Sequence, residues 1–155
     1  MIRISNLDVS QPVDLVTPIE NLGGETTLYI TMLKRFEGMS LTNCLKMITD
    51  AMNKQDWDAM KQGAHQLKGA SGYIGGSRVH YICYHIQKAH HDNNIDLMIG
   101  YYPLLVEHCI ELKRFVRRYL EEQREVSGKS GSPSSFPHPN LEFHFCRGRA
   151  SGALR

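Results

Sequence analysis

The sequence has no long hydrophobic run. No stretch approaches the roughly 18 apolar residues that a membrane-spanning helix needs, and the opening Met1-Ile2-Arg3-Ile4-Ser5-Asn6 lacks the apolar segment of a secretory signal. An intracellular protein is expected, cytoplasmic with the nucleus as a further compartment. It also has no CxxC pair: Cys44, Cys83, Cys109 and Cys146 are separated by 39, 26 and 37 positions, so reduced thiols are expected rather than a disulfide framework. One-sided charge is missing from the body of the chain, where residues 1–122 carry 13 Lys+Arg against 14 Asp+Glu. The net charge of +2 comes from residues 123–155, with 5 against 2. A near-neutral body argues against nucleic acid as partner, because sequence-independent binding requires a clustered positive face, and without a long apolar run no membrane partner is expected either. Alternating strand patterns and internal repeats are absent. So are a glycine-rich nucleotide loop and an obvious carboxylate cage for magnesium, which disfavours a catalytic kinase.

What remains is a helical pattern on one domain of ordinary size. The 155 residues divide into a short lead at 1–12, a body at 13–122 and a tail at 123–155, where Ser127-Gly128-Lys129-Ser130-Gly131-Ser132-Pro133 opens a stretch expected to be flexible and mostly disordered. A first helix is predicted from Val13 to Asn21, closed by Gly23-Gly24. A second, Glu25 to Glu37, places Leu28, Met32, Leu33 and Phe36 on one stripe. A third follows from an N-cap at Ser40 to Asn53, and a long fourth runs from an N-cap at Asp56 to Ile74, stopped by Gly75-Gly76. The fifth ends at Asn93-Asn94 and the last spans Ile95 to Glu122, with a kink or break near Tyr102 imposed by Pro103. The expected architecture is all-α, a four-helix up-down bundle with a short extra N-terminal helix.

The chemically informative segment is Ala64-His65-Gln66-Leu67-Lys68-Gly69-Ala70-Ser71-Gly72-Tyr73-Ile74-Gly75-Gly76. Wound as a helix, Met60, Gly63, Ala64, Leu67, Ala70, Ser71 and Ile74 form the core stripe. On the other side, Gly69 and Gly72 fall within about 40° of His65, with Lys61 and Lys68 on its flank. Each glycine costs roughly 1 kcal/mol relative to alanine inside a helix, so two of them beside a histidine serve something other than helix stability. They bare the backbone so that another protein's surface can close over the imidazole. Lys68 can set an ammonium beside an anionic group on that ring. The chemistry this suits is nucleophilic catalysis, with imidazole holding a phosphoryl group as a phosphoramidate.

His65-x-Leu67-Lys68-Gly69-x-Ser71, with Gly75 four positions further on, resembles the signature of histidine-containing phosphotransfer (HPt) domains of multistep phosphorelays. Gly23-Gly24-Glu25, the helix start at Asp56-Trp57 and the final long helix resemble the same layout, so the likeness covers about residues 13–122. It implies a bundle with His65 as phosphoacceptor, taking phosphate from a receiver-domain aspartate and passing it to another receiver. It implies Lys68 as the stabilising cation, Gly69 as the access residue and Gln66 as a partner contact, while Gly72 and Lys61, placed beside His65 by the helical phase, are the further candidate binding positions. The implied partners are response-regulator receiver domains and a hybrid sensor histidine kinase. The chain would be a monomeric phosphocarrier rather than an enzyme, with no cofactor of its own and magnesium held by the receiver. The alternative is a module that binds receivers without carrying phosphate.

Plainer readings apply elsewhere. Lys61 also fits an ordinary solvated lysine. His80, Cys83, His85, His90 and His91 crowd one helix, yet their spacing offers no complete tetrahedral set and no metal site is expected. Lys113, Arg114, Arg117 and Arg118 read as a solvated face, and Trp57 with the methionines as core.

Overall fold

A computed structural model describes residues 11–129, and every regular element among them is helical. In chain order these are α1 (Val16–Asn21), α2 (Thr26–Arg35), a π-helical turn (Phe36–Ser40), α3 (Leu41–Lys54), α4 (Trp57–Ile74), α5 (Ser77–His91) and α6 (Ile95–Lys129). The chain divides into two units, Met1–Leu120 and Glu121–Arg155. The bundle and the site belong to the first; in the second, α6 continues from Glu121 to Lys129.

The second and third predicted helices are one rod. Ser40 stays right-handed helical and its side chain caps nothing. The π turn adds a residue to one turn, which shifts the phase of the apolar stripe so that Leu33 before it, Phe36 at its start, and Leu41 and Cys44 after it all face inward. This rod, α4, α5 and α6 form the four-helix up-down bundle. Antiparallel neighbours are marked by pairs such as His80 with Lys68 between α5 and α4, and Thr49 with Tyr102 between α3 and α6. Ile48, Met60, Leu67, Ile86, Leu105 and Leu112 are fully buried at its centre, each worth roughly 1.5–3 kcal/mol of apolar burial. The rods approach closely at Gly63, where a Cβ would stand 2.6 Å from Cγ1 of Ile48.

Several local expectations change on packing. Along α2 and into the π turn the buried stripe is Tyr29, Leu33 and Phe36, while Leu28 is exposed, because the Tyr29 hydroxyl finds a buried acceptor in the Ile74 carbonyl at 2.7 Å. Trp57 is half-buried and Met39 exposed, whereas Met60 and Met98 are core, since Trp57 is the first residue of α4 and Met39 lies on the π turn. Pro103 does not break α6: it lies on the exposed face, where water can take the carbonyl that proline's missing N–H leaves free. The last helix runs beyond Glu122 to Lys129, so the first residues assigned to a flexible tail are helical, and the remainder lies outside the described residues. Cys44, Cys83 and Cys109 are free and buried. Burial drives the Cys83 thiol well above its ordinary range and pushes Cys109 up to about 12, so neither is a ready nucleophile. No helix among the described residues is long and apolar enough to cross a membrane.

His80 is the buried ionisable group nearest the site. Its Nδ1–H donates to the Lys68 carbonyl at 2.9 Å, and burial, with the Lys68 charge nearby, lowers its pKa from 6.5. The unfolded chain therefore binds this proton more tightly than the folded one. The resulting stability is present above pH 6.5 and is lost as pH falls below it toward the folded value. Thermal melts from pH 7.5 down to 5 are expected to fall less steeply for His80→Gln than for the parent chain, and parallel curves would count against this contribution.

Candidate functional site

α4 holds the site, and its limits are set locally. Asp56 caps it, the carboxylate accepting from the Ala59 amide at 3.0 Å, and Gly75 ends it in the left-handed region at φ 80°. Met60, Ala64, Leu67, Ser71 and Ile74 bury the inner stripe, with the Ser71 hydroxyl donating to the Leu67 carbonyl at 2.7 Å. His65 consequently stands on the outer side, exposed.

One turn on, Gly69 is exposed, and a Cβ built there would meet nothing within 4 Å. The bare backbone expected beside the imidazole is therefore present at this position. It is absent at Gly72, which is buried. Lys68 and Lys61 are half-buried, and Gln66 is exposed next to His65. The Lys68 carbonyl is held by His80, which fixes the turn that carries the lysine.

His65 opens on a groove of about 540 Å³ between α4 and the α2–π rod, with Met32, Arg35, Phe36, Gly69, Ala70 and Tyr73 in its walls. Tyr73 is 71% exposed, an unusual outlay of apolar surface two turns from the histidine. On the opposite flank α5 brings Gln87, whose Nε2 lies 3.0 Å from Nδ1 of His65. Gln87 and Arg35 have no local signal in the sequence, since each reaches the site only by packing. Tyr73 had one, as it follows Gly69 at helical spacing.

Residues 32–121, more than half of the chain, match the Hpt domain family model. The chain belongs to the Hpt domain family. No curated protein and no solved structure matched in the corresponding comparisons. Membership places this Hpt domain in phosphotransfer within two-component signalling, where such domains work with receiver domains and kinases.

The remaining candidates are structural. The histidines of α5 do not converge: His80 is buried against Lys68, His85 stacks on Tyr101 with centroids 5.6 Å apart, and His90 meets Asp58 at 2.7 Å. Among the described residues no three His, Cys, Asp or Glu side chains are gathered as an ion would require. In the basic cluster of α6, Arg114, Arg117 and Arg118 are exposed, and Arg117 pairs with Glu37 at 2.6 Å.

The open space at Gly69 makes a sharp test of this Hpt domain. Gly69→Gln is expected to melt at or above the temperature of the parent chain, because it gains up to about 1 kcal/mol of helix propensity and meets no atom. The longer side chain would stand over the groove, so receiver affinity and transfer rate should fall together. Normal transfer by this variant would show that the bare face is not needed for approach.

Proposed function

We propose that this Hpt domain is a phosphorelay intermediary that accepts a phosphoryl group on His65 from the aspartyl phosphate of one receiver domain and delivers it to the aspartate of another. The observation that carries the reading is the setting of His65: exposed on a rigid helix, over a glycine with nothing around it, and held at Nδ1 by Gln87. With Nδ1 engaged, Nε2 is the nitrogen left open. In the tautomer that carries the ring proton on Nδ1, its lone pair forms the N–P bond as the P–O bond to the donor aspartate breaks and returns its electrons to the carboxylate. Transfer to the second receiver is the reverse. The ammonium of Lys68, and that of Lys61 at longer reach, offset charge on the phosphoryl oxygens.

The groove supports the same reading. Its apolar walls give a receiver something to dock on, and Arg35 and the flanking lysines complement the acidic surroundings of a receiver's aspartate. Gln66, at the rim, serves contact with the partner. The chain acts as a monomer in the cytoplasm, extending to the nucleus, and has no kinase activity of its own. Nucleotide chemistry belongs to a hybrid sensor kinase upstream, and magnesium comes with the receiver.

The test is chemical. After mixing with a phosphorylated receiver, the chain should carry phosphate that is acid-labile and base-stable, mapped to His65 and chased onto a second, unphosphorylated receiver. Stable binding with no phosphate on the chain would replace this reading by a receiver-binding module that does not carry phosphate.

A further inference from the structure

Tyr73 keeps 71% of its surface exposed, more than any other large apolar side chain among the described residues. Its own helix gives the ring little to lie on. A helical side chain leans back over the turn before it, toward the residues three and four positions earlier, which here are Ala70 and Gly69. Gly69 has no side chain, and nothing stands within 4 Å of the place where one would begin. Tyr73 therefore continues the outer face of α4 that starts at His65 and is bare at Gly69, and all three line the same groove. The bundle has no use for the ring in its core.

Whatever closes on the histidine meets this ring. Eight residues of helix separate Tyr73 from His65, about 12 Å along the axis. A specific interface covers about 800 Å² on each partner, a patch of roughly 16 Å radius. A receiver domain centred on His65 must therefore cover Tyr73 as well. The ring is then either received or in the way. A partner with an apolar recess at that place buries it, and buried tyrosines are among the side chains that dominate interface energies. A partner with a bulky or charged side chain there meets a clash or an unpaired charge, which is how one residue tells related partners apart.

We infer that Tyr73 is a specificity-determining residue, which selects receiver domains that present an apolar recess to its ring about 12 Å from their phosphorylatable aspartate. The inference rests on the reading that a receiver closes over His65. Arg35, exposed on the opposite wall of the same groove, favours a carboxylate at the rim of that recess.

The experiment titrates the full chain, as parent, Tyr73→Phe and Tyr73→Ser, against a panel of isolated, unphosphorylated receiver domains in a calorimeter. Serine and tyrosine have similar helix propensity and the ring is mostly in water, so Tyr73→Ser should melt within about two degrees of the parent. Its affinity for the receiver that the parent binds most tightly should fall at least about tenfold, the loss of an interface anchor, while receivers that the parent binds poorly should bind equally well or better. The spread among receivers narrows. Tyr73→Phe, which keeps the ring, should hold the parent's ranking. With phosphorylated receivers the loss in Tyr73→Ser should lie in the KM of transfer rather than in kcat. A panel whose members are all weakened by one factor, or not at all, in Tyr73→Ser would overturn the inference. So would a melting temperature several degrees lower, which would mean that the ring packs on the bundle. Because binding is read without phosphate, it decides the role of Tyr73 even if His65 proves not to be phosphorylated, which would be the separate failure of the reading above.

Discussion

His65→Gln is expected to bring phosphoryl transfer down to background while the fold is kept. The variant removes the imidazole lone pair beside the bare backbone of Gly69, and glutamine's amide nitrogen is no substitute nucleophile. The other histidines described are poorly placed to take over: His80 is buried, His85 packs against Tyr81, Tyr84 and Tyr101, His90 is paired with Asp58, and His108 is largely covered beside Glu111. His91 is exposed, but it stands at the end of α5 without a cleared helix face. The side chain of His65 is itself exposed, so its loss takes little from the core. A change within about 0.5 kcal/mol, or a shift of one or two degrees in melting temperature, is expected. Label transfer from a phospho-receiver and a thermal melt on the same preparation check both halves. Label persisting on the variant would move the acceptor elsewhere.

The largest effect on stability is expected from Gly75→Ala. Gly75 sits at φ 80°, where a Cβ is strained by roughly 1–2 kcal/mol whatever the space available. Space is not available either, since the added carbon would run into the Asp14 carbonyl and stand 2.8 Å from Cγ of Pro18. This corner also joins the start of the chain to the bundle: the Asp14 amide donates to the Gly75 carbonyl at 2.7 Å, while the Asp14 carboxylate accepts from Val16 and Thr17 to begin α1. Relieving the overlap must pull that bond apart. The sum is about 3 kcal/mol or more, which for a domain of this size lowers the melting temperature by roughly 10 °C. Gly69→Ala makes the identical chemical change six residues earlier, in open space on a helix, and should raise stability slightly. Opposite signs for the two variants are the expected result. Equal small effects would mean that the α4–α5 corner rearranges freely.

The sequence by itself determined the features whose causes lie within a few residues. The start of α4 was legible in Asp56, because a capping carboxylate acts on amides two or three positions away. Its end was legible in Gly75, because the left-handed turn has to be made at one position. The exposure of His65 followed from the same helical phase that sends Met60, Ala64, Leu67 and Ile74 inward, and the bare side of Gly69 required no partner. Family membership was readable for the same reason, since the motif from His65 to Gly75 is contiguous. Packing between distant segments decided the rest. Gly72 shares the phase of His65 and yet is buried, which the period of its own helix does not reveal. Ser40 has the chemistry of a cap and caps nothing, because a π turn lets Phe36 and Leu41 both reach the core without ending the rod. Pro103 leaves α6 unbroken because it faces outward. Gln87 lies 22 positions from His65, and only the antiparallel return of α5 brings its amide to the imidazole. Helical period and end signals are properties of one element, whereas a hydrogen bond between two helices depends on their register. Between α4 and α5 that register is fixed by the packing of their buried faces, with His80 bonded to the Lys68 carbonyl across it.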